Sequence, residues 1–128
     1  MALRKDLHVL VVDDMSVSRQ LLSQMLEQIG IQGVRTTSTA QAALADLVAH
    51  PADIVISDLH MPGGSGLDLL KSLRNDRRTA NIRFVMISGD DNVEWVEEAQ
   101  MLGLDRYLPK PFDLNRLLRC VESIAGRI

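Results

Sequence analysis

The feature that most constrains the fold of this chain is an alternation. Short apolar runs rich in branched residues recur at Leu7 to Val12, Gly33 to Thr37, Ile54 to Ser57, Phe84 to Ile87 and Arg106 to Leu108. Runs of this length between turn-forming residues read as strands. The segments between and after them place apolar residues three and four apart: Leu22, Met25, Leu26 and Ile29; Ala40, Ala43, Leu44, Leu47 and Val48; Leu67, Leu70 and Leu73; Leu114, Leu117, Leu118, Val121 and Ile124. That spacing gives each helix one buried stripe. A less regular helix is expected over Asp91 to Leu102, with Trp95, Ala99 and Leu102 as its inward line. Five strands alternating with five helices predict a parallel sheet covered on both faces, a doubly wound α/β domain.

Punctuation agrees with this reading. Side chains able to accept free backbone N–H groups stand at the expected helix starts: Ser38 with Gln41, Ser65 with Asp68, Asp91 with Glu94, and Asp113. Gly30 and Gly103 follow periodic segments, where a left-handed closing residue is usual. At 128 residues the chain is expected to be a single domain spanning 1–128, with no linker and no output domain.

Hydrophobic residues make up 46% and charged residues 24%, the balance of a folded globular protein. A net charge of -3 supplies no positive field for nucleic acid or an anionic membrane. Proteins are the expected partners, and the basic run Arg74, Arg77 and Arg78 reads as a solvated helix end and loop. The lone Cys120 excludes an internal disulfide and suits a reducing compartment, as a small buried thiol. Val9 to Val12 is too short for a signal peptide, and no stretch is long and apolar enough to span a membrane. The expected location is the cytoplasm.

In open parallel sheets the functional crevice lies beyond the carboxyl ends of the strands. Here the first strand ends in Asp13 and Asp14, the third in Asp58 and the fourth in Ser88, while the fifth leads to Lys110. Three neighbouring carboxylates raise one another's pKa unless a cation intervenes. A hard divalent ion, magnesium with manganese as substitute, suits an all-oxygen donor set that leaves room for a phosphate. Such an ion and Lys110 would neutralise a transferring phosphoryl group, Ser88 would donate a hydrogen bond to it, and Asp58 remains as the nucleophile. The bland reading of each residue singly is a cap or a surface charge; their joint placement on four strand ends favours chemistry.

The strings VLVVDDMS, VISDLHMP, FVMISGD and YLPKPF resemble the receiver domains of two-component response regulators, especially the single-domain chemotaxis type, over essentially the whole chain. The resemblance implies a flavodoxin-like strand order 2-1-3-4-5. It makes Asp58 the phosphoryl acceptor, Asp13 and Asp14 metal-binding acids, Ser88 the switch hydroxyl, Tyr107 the switch aromatic and Lys110 the site lysine. The His60 carbonyl becomes a further metal ligand, and the Lys110–Pro111 bond is expected to be cis. His60 and Asp90 stand where the family tunes the lifetime of the phosphoryl group, and Gly89 where a small residue leaves access to the acceptor. Ser65-Gly66 departs from the more usual Asp-Gly, with Gly63, Gly64 and Gly66 expected to keep that loop flexible. Implied partners are a histidine kinase or histidine phosphotransfer protein and a downstream target such as a flagellar switch. Output is expected through the fourth helix, fifth strand and fifth helix, with a monomer as the default state. Trp95 reads equally as core or as a partner contact.

Other functions fit less well. A flavin carrier of this architecture wants hydroxyls and N–H groups after the first strand, where two aspartates would repel a flavin phosphate. An aspartyl-phosphate phosphatase uses similar groups, but Asp13-Asp14-Met15-Ser16 is not the Asp-x-Asp-x-Thr string of the haloacid-dehalogenase type. A phosphorelay intermediate or a phosphate sink remains an alternative role, and a binding module without phosphorylation would not need the full set of groups.

Overall fold

The computed structural model describes residues 6–90 and 92–125. Its elements alternate strictly: β1 (His8–Val12), α1 (Ser16–Gln28), β2 (Gly33–Thr37), α2 (Ala40–Ala49), β3 (Ile54–Asp58), α3 (Gly66–Arg74), β4 (Arg83–Ser88), α4 (Val93–Met101), β5 (Arg106–Pro109) and α5 (Leu114–Ala125). The strands form one parallel sheet in the order β2-β1-β3-β4-β5.

Alternation along each strand sends side chains to opposite faces. Leu10, Val12, Val55, Phe84 and Met86 pack on one face beneath α2, α3 and α4. Val9, Val11, Ile54, Ile56, Val85, Ile87 and Leu108 pack on the other beneath α1 and α5. Each such side chain contributes about 1.5–3 kcal/mol by leaving water. The central strands are therefore apolar without interruption, whereas β2 at the edge is only partly buried.

Helix boundaries follow the capping chemistry with two shifts. The α2 cap is Thr39, not Ser38: Thr39 is extended and its side chain accepts from the Ala42 N–H. Asn92 caps α4, accepting from the Glu94 N–H, so that helix starts at Val93; the anticipated cap Asp91 lies outside the described residues. Ser65 and Asp68 form a reciprocal capping box on α3, and Asp113 accepts from the Arg116 N–H at the start of α5. Gly30 and Gly103 close their helices with φ of +100° and +86°. The inward stripe of α5 begins at Leu117; Leu114 is 39% exposed. Leu69 joins Leu70 and Leu73 in the α3 core, where the three-residue spacing had pointed to Leu67, which is only partly buried.

The basic run is not simply solvated. Arg74 is a half-buried tie whose guanidinium donates to the carbonyls of Ala80 (3.0 Å), Ile82 (2.7 Å) and Gly103 (2.9 Å) and to Asp105 (3.2 Å). It fastens the α3–β4 and α4–β5 connections together at the end of the sheet away from the strand-end acids. Arg78 instead pairs with Asp76 in solvent, as a surface residue would.

Candidate phosphoryl and cation site

At the carboxyl ends of β1 and β3 the chain delivers three carboxylates to one place. Asp13 follows β1 and is buried; its backbone N–H donates to the Thr37 carbonyl, and its Oδ1 accepts from the Met15 N–H at 2.9 Å. Arg19 on α1 reaches back to the Asp13 carbonyl at 2.7 Å, a support for which the sequence carries no motif. Asp14 is exposed beside it, and Asp58 ends β3 partly buried. One oxygen from each of Asp13, Asp14 and Asp58 lies within 4.8 Å of the others. This donor set is all carboxylate oxygen, which fits a hard divalent cation such as magnesium and not the nitrogen and sulfur preference of zinc or copper. The one nearby imidazole, His60, turns its Nε2 to Asp90 Oδ2 at 3.1 Å instead of joining the acids.

Burial pushes the Asp58 carboxyl above its ordinary value, Lys110 pulls it down, and the Asp13 charge pushes it up again. Lys110 follows β5 and sends Nζ to within 3.5 Å of Asp58 Oδ2, while its backbone N–H donates to the Ser88 carbonyl at 3.0 Å. The Lys110–Pro111 bond is cis. Behind Asp58, Gly66 in the first turn of α3 donates its N–H to the Leu59 carbonyl. A Cβ at Gly66 would stand 2.6 Å from the Asp58 carbonyl oxygen and 2.5 Å from Met86 Sδ. Its need is close approach, not the loop flexibility expected from sequence; only Gly63 there has a positive φ, +77°. A cavity of about 300 Å³, walled mainly by Leu21, Leu22, Met25 and Phe112, opens beside Asp13, Asp58 and Lys110.

Ser88 ends β4 at 1% exposure, its Oγ accepting from the Asp90 N–H at 2.8 Å. Tyr107 on β5 is half-buried, its hydroxyl donating to the carbonyls of Ser88 (3.2 Å) and Asp90 (3.5 Å). Trp95 is buried, so it belongs to the core and not to a partner surface. The Asn92 N–H and His60 hold the Asp90 carboxyl below its ordinary value. Cys120 is partly covered, and burial pushes its thiol up to about 11, which leaves it unreactive. No helix among the described residues is long and apolar enough to cross a membrane.

Fold and pocket together define a doubly wound, flavodoxin-like α/β domain with a cluster of three carboxylates and a lysine at the carboxyl edge of its sheet. A family model described as the response regulator receiver domain matches residues 9–122. The chain belongs to the response regulator receiver family. Chemotaxis protein CheY-3 of Vibrio cholerae is 31% identical over 126 residues, 98% of this chain and 97% of that protein. The solved structure of Vibrio cholerae CheY4 at low pH superposes with a TM-score of 0.86 at 29% identity, covering 92% of this chain and 98% of that one. A response regulator receiver protein from Pseudomonas putida superposes with a TM-score of 0.85 at 35% identity, covering 96% and 99%.

Proposed function

We propose that this chain is a phosphorylation switch in which Asp58 accepts a phosphoryl group from a phosphohistidine. The observation that carries the reading is the convergence of Asp13, Asp14 and Asp58 within 4.8 Å, with Lys110 3.5 Å from the acceptor carboxylate. An Asp58 carboxylate oxygen attacks phosphorus, the P–N bond of the donor breaks, and the departing imidazole nitrogen keeps the electron pair and takes a proton from water. Asp13, Asp14, Asp58 and the His60 carbonyl are the groups that would hold magnesium, or manganese in its place; bound there, it supplies charge neutralisation to the transferring group. Lys110 neutralises a further phosphoryl oxygen, and Ser88 donates its hydroxyl hydrogen to another. Hydrolysis of the acyl phosphate by water restores the carboxylate, at a rate that His60 and Asp90, bridged across the mouth of the site, help to set.

The output surface is the face formed by α4, β5 and α5, coupled to the site through Ser88 and Tyr107. A phosphoryl group biases that face only through contacts that differ between the two arrangements. The resemblance to chemotaxis proteins of Vibrio cholerae supports a role in chemotaxis or related signal transduction, with a histidine kinase upstream and a protein such as a flagellar switch downstream. Intact mass after incubation with acetyl phosphate tests the chemistry. A labile gain of one phosphoryl group that needs magnesium and is absent in Asp58→Asn is expected; no gain, with a phosphorylated kinase also failing as donor, would sink the proposal.

A further inference from the structure

The connection between β4 and α4 carries more hydrogen bonds than the proposed chemistry uses, and they converge on Asp90. Its N–H donates to Ser88 Oγ at 2.8 Å, and its carbonyl accepts the indole N–H of Trp95 at 2.7 Å. Its carboxylate accepts from the Asn92 N–H at 3.0 Å and meets His60 Nε2 at 3.1 Å. Trp95 is the only tryptophan in the chain. It is 7% exposed, and its ring meets that of Tyr107 edge to face, with centroids 4.9 Å apart and planes at 87°. A buried indole N–H needs an acceptor. Here the acceptor is the main chain of the same loop that holds the switch hydroxyl.

One peptide segment thus ties Ser88 to Trp95. While Ser88 Oγ receives the Asp90 N–H, its position is set by the loop, although its own hydrogen remains available to donate. Any movement of the hydroxyl toward a phosphoryl oxygen on Asp58 strains this bond. The Asp90 N–H is then abandoned unless the loop follows, and leaving it unpaired is costly. If the loop follows, the Asp90 carbonyl shifts against Trp95, whose ring packs in the core beneath α4.

Resting on the phosphoryl-acceptor reading above, we infer that Trp95 is a positioning residue of the switch: through the Asp90 main chain it holds the β4–α4 connection against Ser88 and sets how readily that hydroxyl reaches the phosphoryl group. It acts on Ser88 through Asp90 and not on the reacting atoms. Deleting the indole N–H removes that bond and so shifts the balance between the two arrangements of the loop.

Beryllofluoride with magnesium, a stable mimic of a phosphoryl group on an aspartate, supplies the test. In the natural chain, Trp95 emission should change saturably as beryllofluoride is added, and should stay flat in Asp58→Asn. Trp95→Phe keeps an aromatic ring against Tyr107 and lacks the N–H. Calorimetry should record a beryllofluoride affinity changed by about fivefold in this variant, the worth of one neutral hydrogen bond. A purely structural tryptophan would lower the melting midpoint and leave that affinity unchanged. Unchanged affinity overturns the inference, and so does flat natural-chain emission while calorimetry records saturable binding. The emission titration needs no variant, so it decides the matter even if Trp95→Phe does not fold. A natural chain that binds no beryllofluoride at all would instead overturn the phosphoryl-acceptor reading, and this inference with it.

Discussion

Lys110 Nζ stands 3.5 Å from Asp58 Oδ2, closer than unrelated surface charges but longer than the about 2.7–2.9 Å of a strong charge-assisted bond. The ammonium lowers the acceptor's pKa without being locked to it. It is therefore free to follow negative charge onto a phosphoryl oxygen. Lys110→Ala is expected to slow phosphorylation by acetyl phosphate about 100-fold, the cost of one preorganised charge-stabilising donor. Magnesium affinity should be retained or improved, since a competing cation is gone; a rate within a few-fold of the natural chain would remove Lys110 from the mechanism.

The raised pKa of Asp58 has a defined consequence for stability when divalent cations are chelated. Its folded pKa lies above the unfolded value of 3.8, so its contribution is full below that value and is lost as pH rises through the folded pKa. At neutral pH the ionised carboxylate is a liability, and Asp58→Asn should unfold at a higher urea concentration than the natural chain. The gap should narrow as pH falls toward the acid range. Magnesium at 100 times its dissociation constant should restore about 2.7 kcal/mol to the natural chain and much less to the variant.

Arg74→Ala should be among the most destabilising substitutions outside the core. It leaves three loop carbonyls and one Asp105 contact without their guanidinium. A loss of about 3 kcal/mol in urea unfolding is expected. Arg74→Lys should recover only part of it, because one ammonium cannot reproduce the forked geometry.

Gly66→Ala places a methyl group against the Asp58 carbonyl and Met86. Overpacking of this kind costs about 1–3 kcal/mol. Because one of the crowded atoms belongs to the acceptor residue, the rate of phosphoryl gain should fall as well. A variant that loses stability but keeps the full rate would show that the strand gives way without moving the carboxylate.

His60→Ala removes a solvent-exposed bridge to Asp90 at the mouth of the site. The melting midpoint should not change measurably. The phosphorylated mass should decay severalfold faster, because water gains a freer approach to the acyl phosphate; an unaltered decay would deny His60 any part in setting the lifetime.

Much of this architecture is legible in the sequence because each strand is short, branched and bounded. The acids, the hydroxyl and the lysine could be grouped before any coordinates, since a parallel sheet must bring its strand ends to one edge. What escaped has physical reasons. Ser38 and Thr39 cap equally well by chemistry, and only the extended backbone at Thr39 separates them. Arg74 binds carbonyls contributed by distant loops, and main-chain acceptors leave no trace in residue identity. Trp95 stands on an α4 pattern that fits inward and outward faces alike; its indole bond to Asp90 became visible only with the fold. Gly66 read as a flexible loop residue because a glycine required for close approach looks the same in sequence as one required for a turn.

The contact at Gly66 also divides the crevice mechanically. On one side the acceptor strand and α3 meet backbone against backbone, locked by the Ser65–Asp68 box. On the other, Ser88, Asp90 and Lys110 are joined by hydrogen bonds, several of them meeting at Asp90, and a Cβ built on Gly89 would meet only Lys110 Cβ, at 3.8 Å. The site is thus a vice with one fixed jaw. On the proposed reading, the displacement a newly attached group demands goes first to the movable jaw, which adjoins α4 and β5.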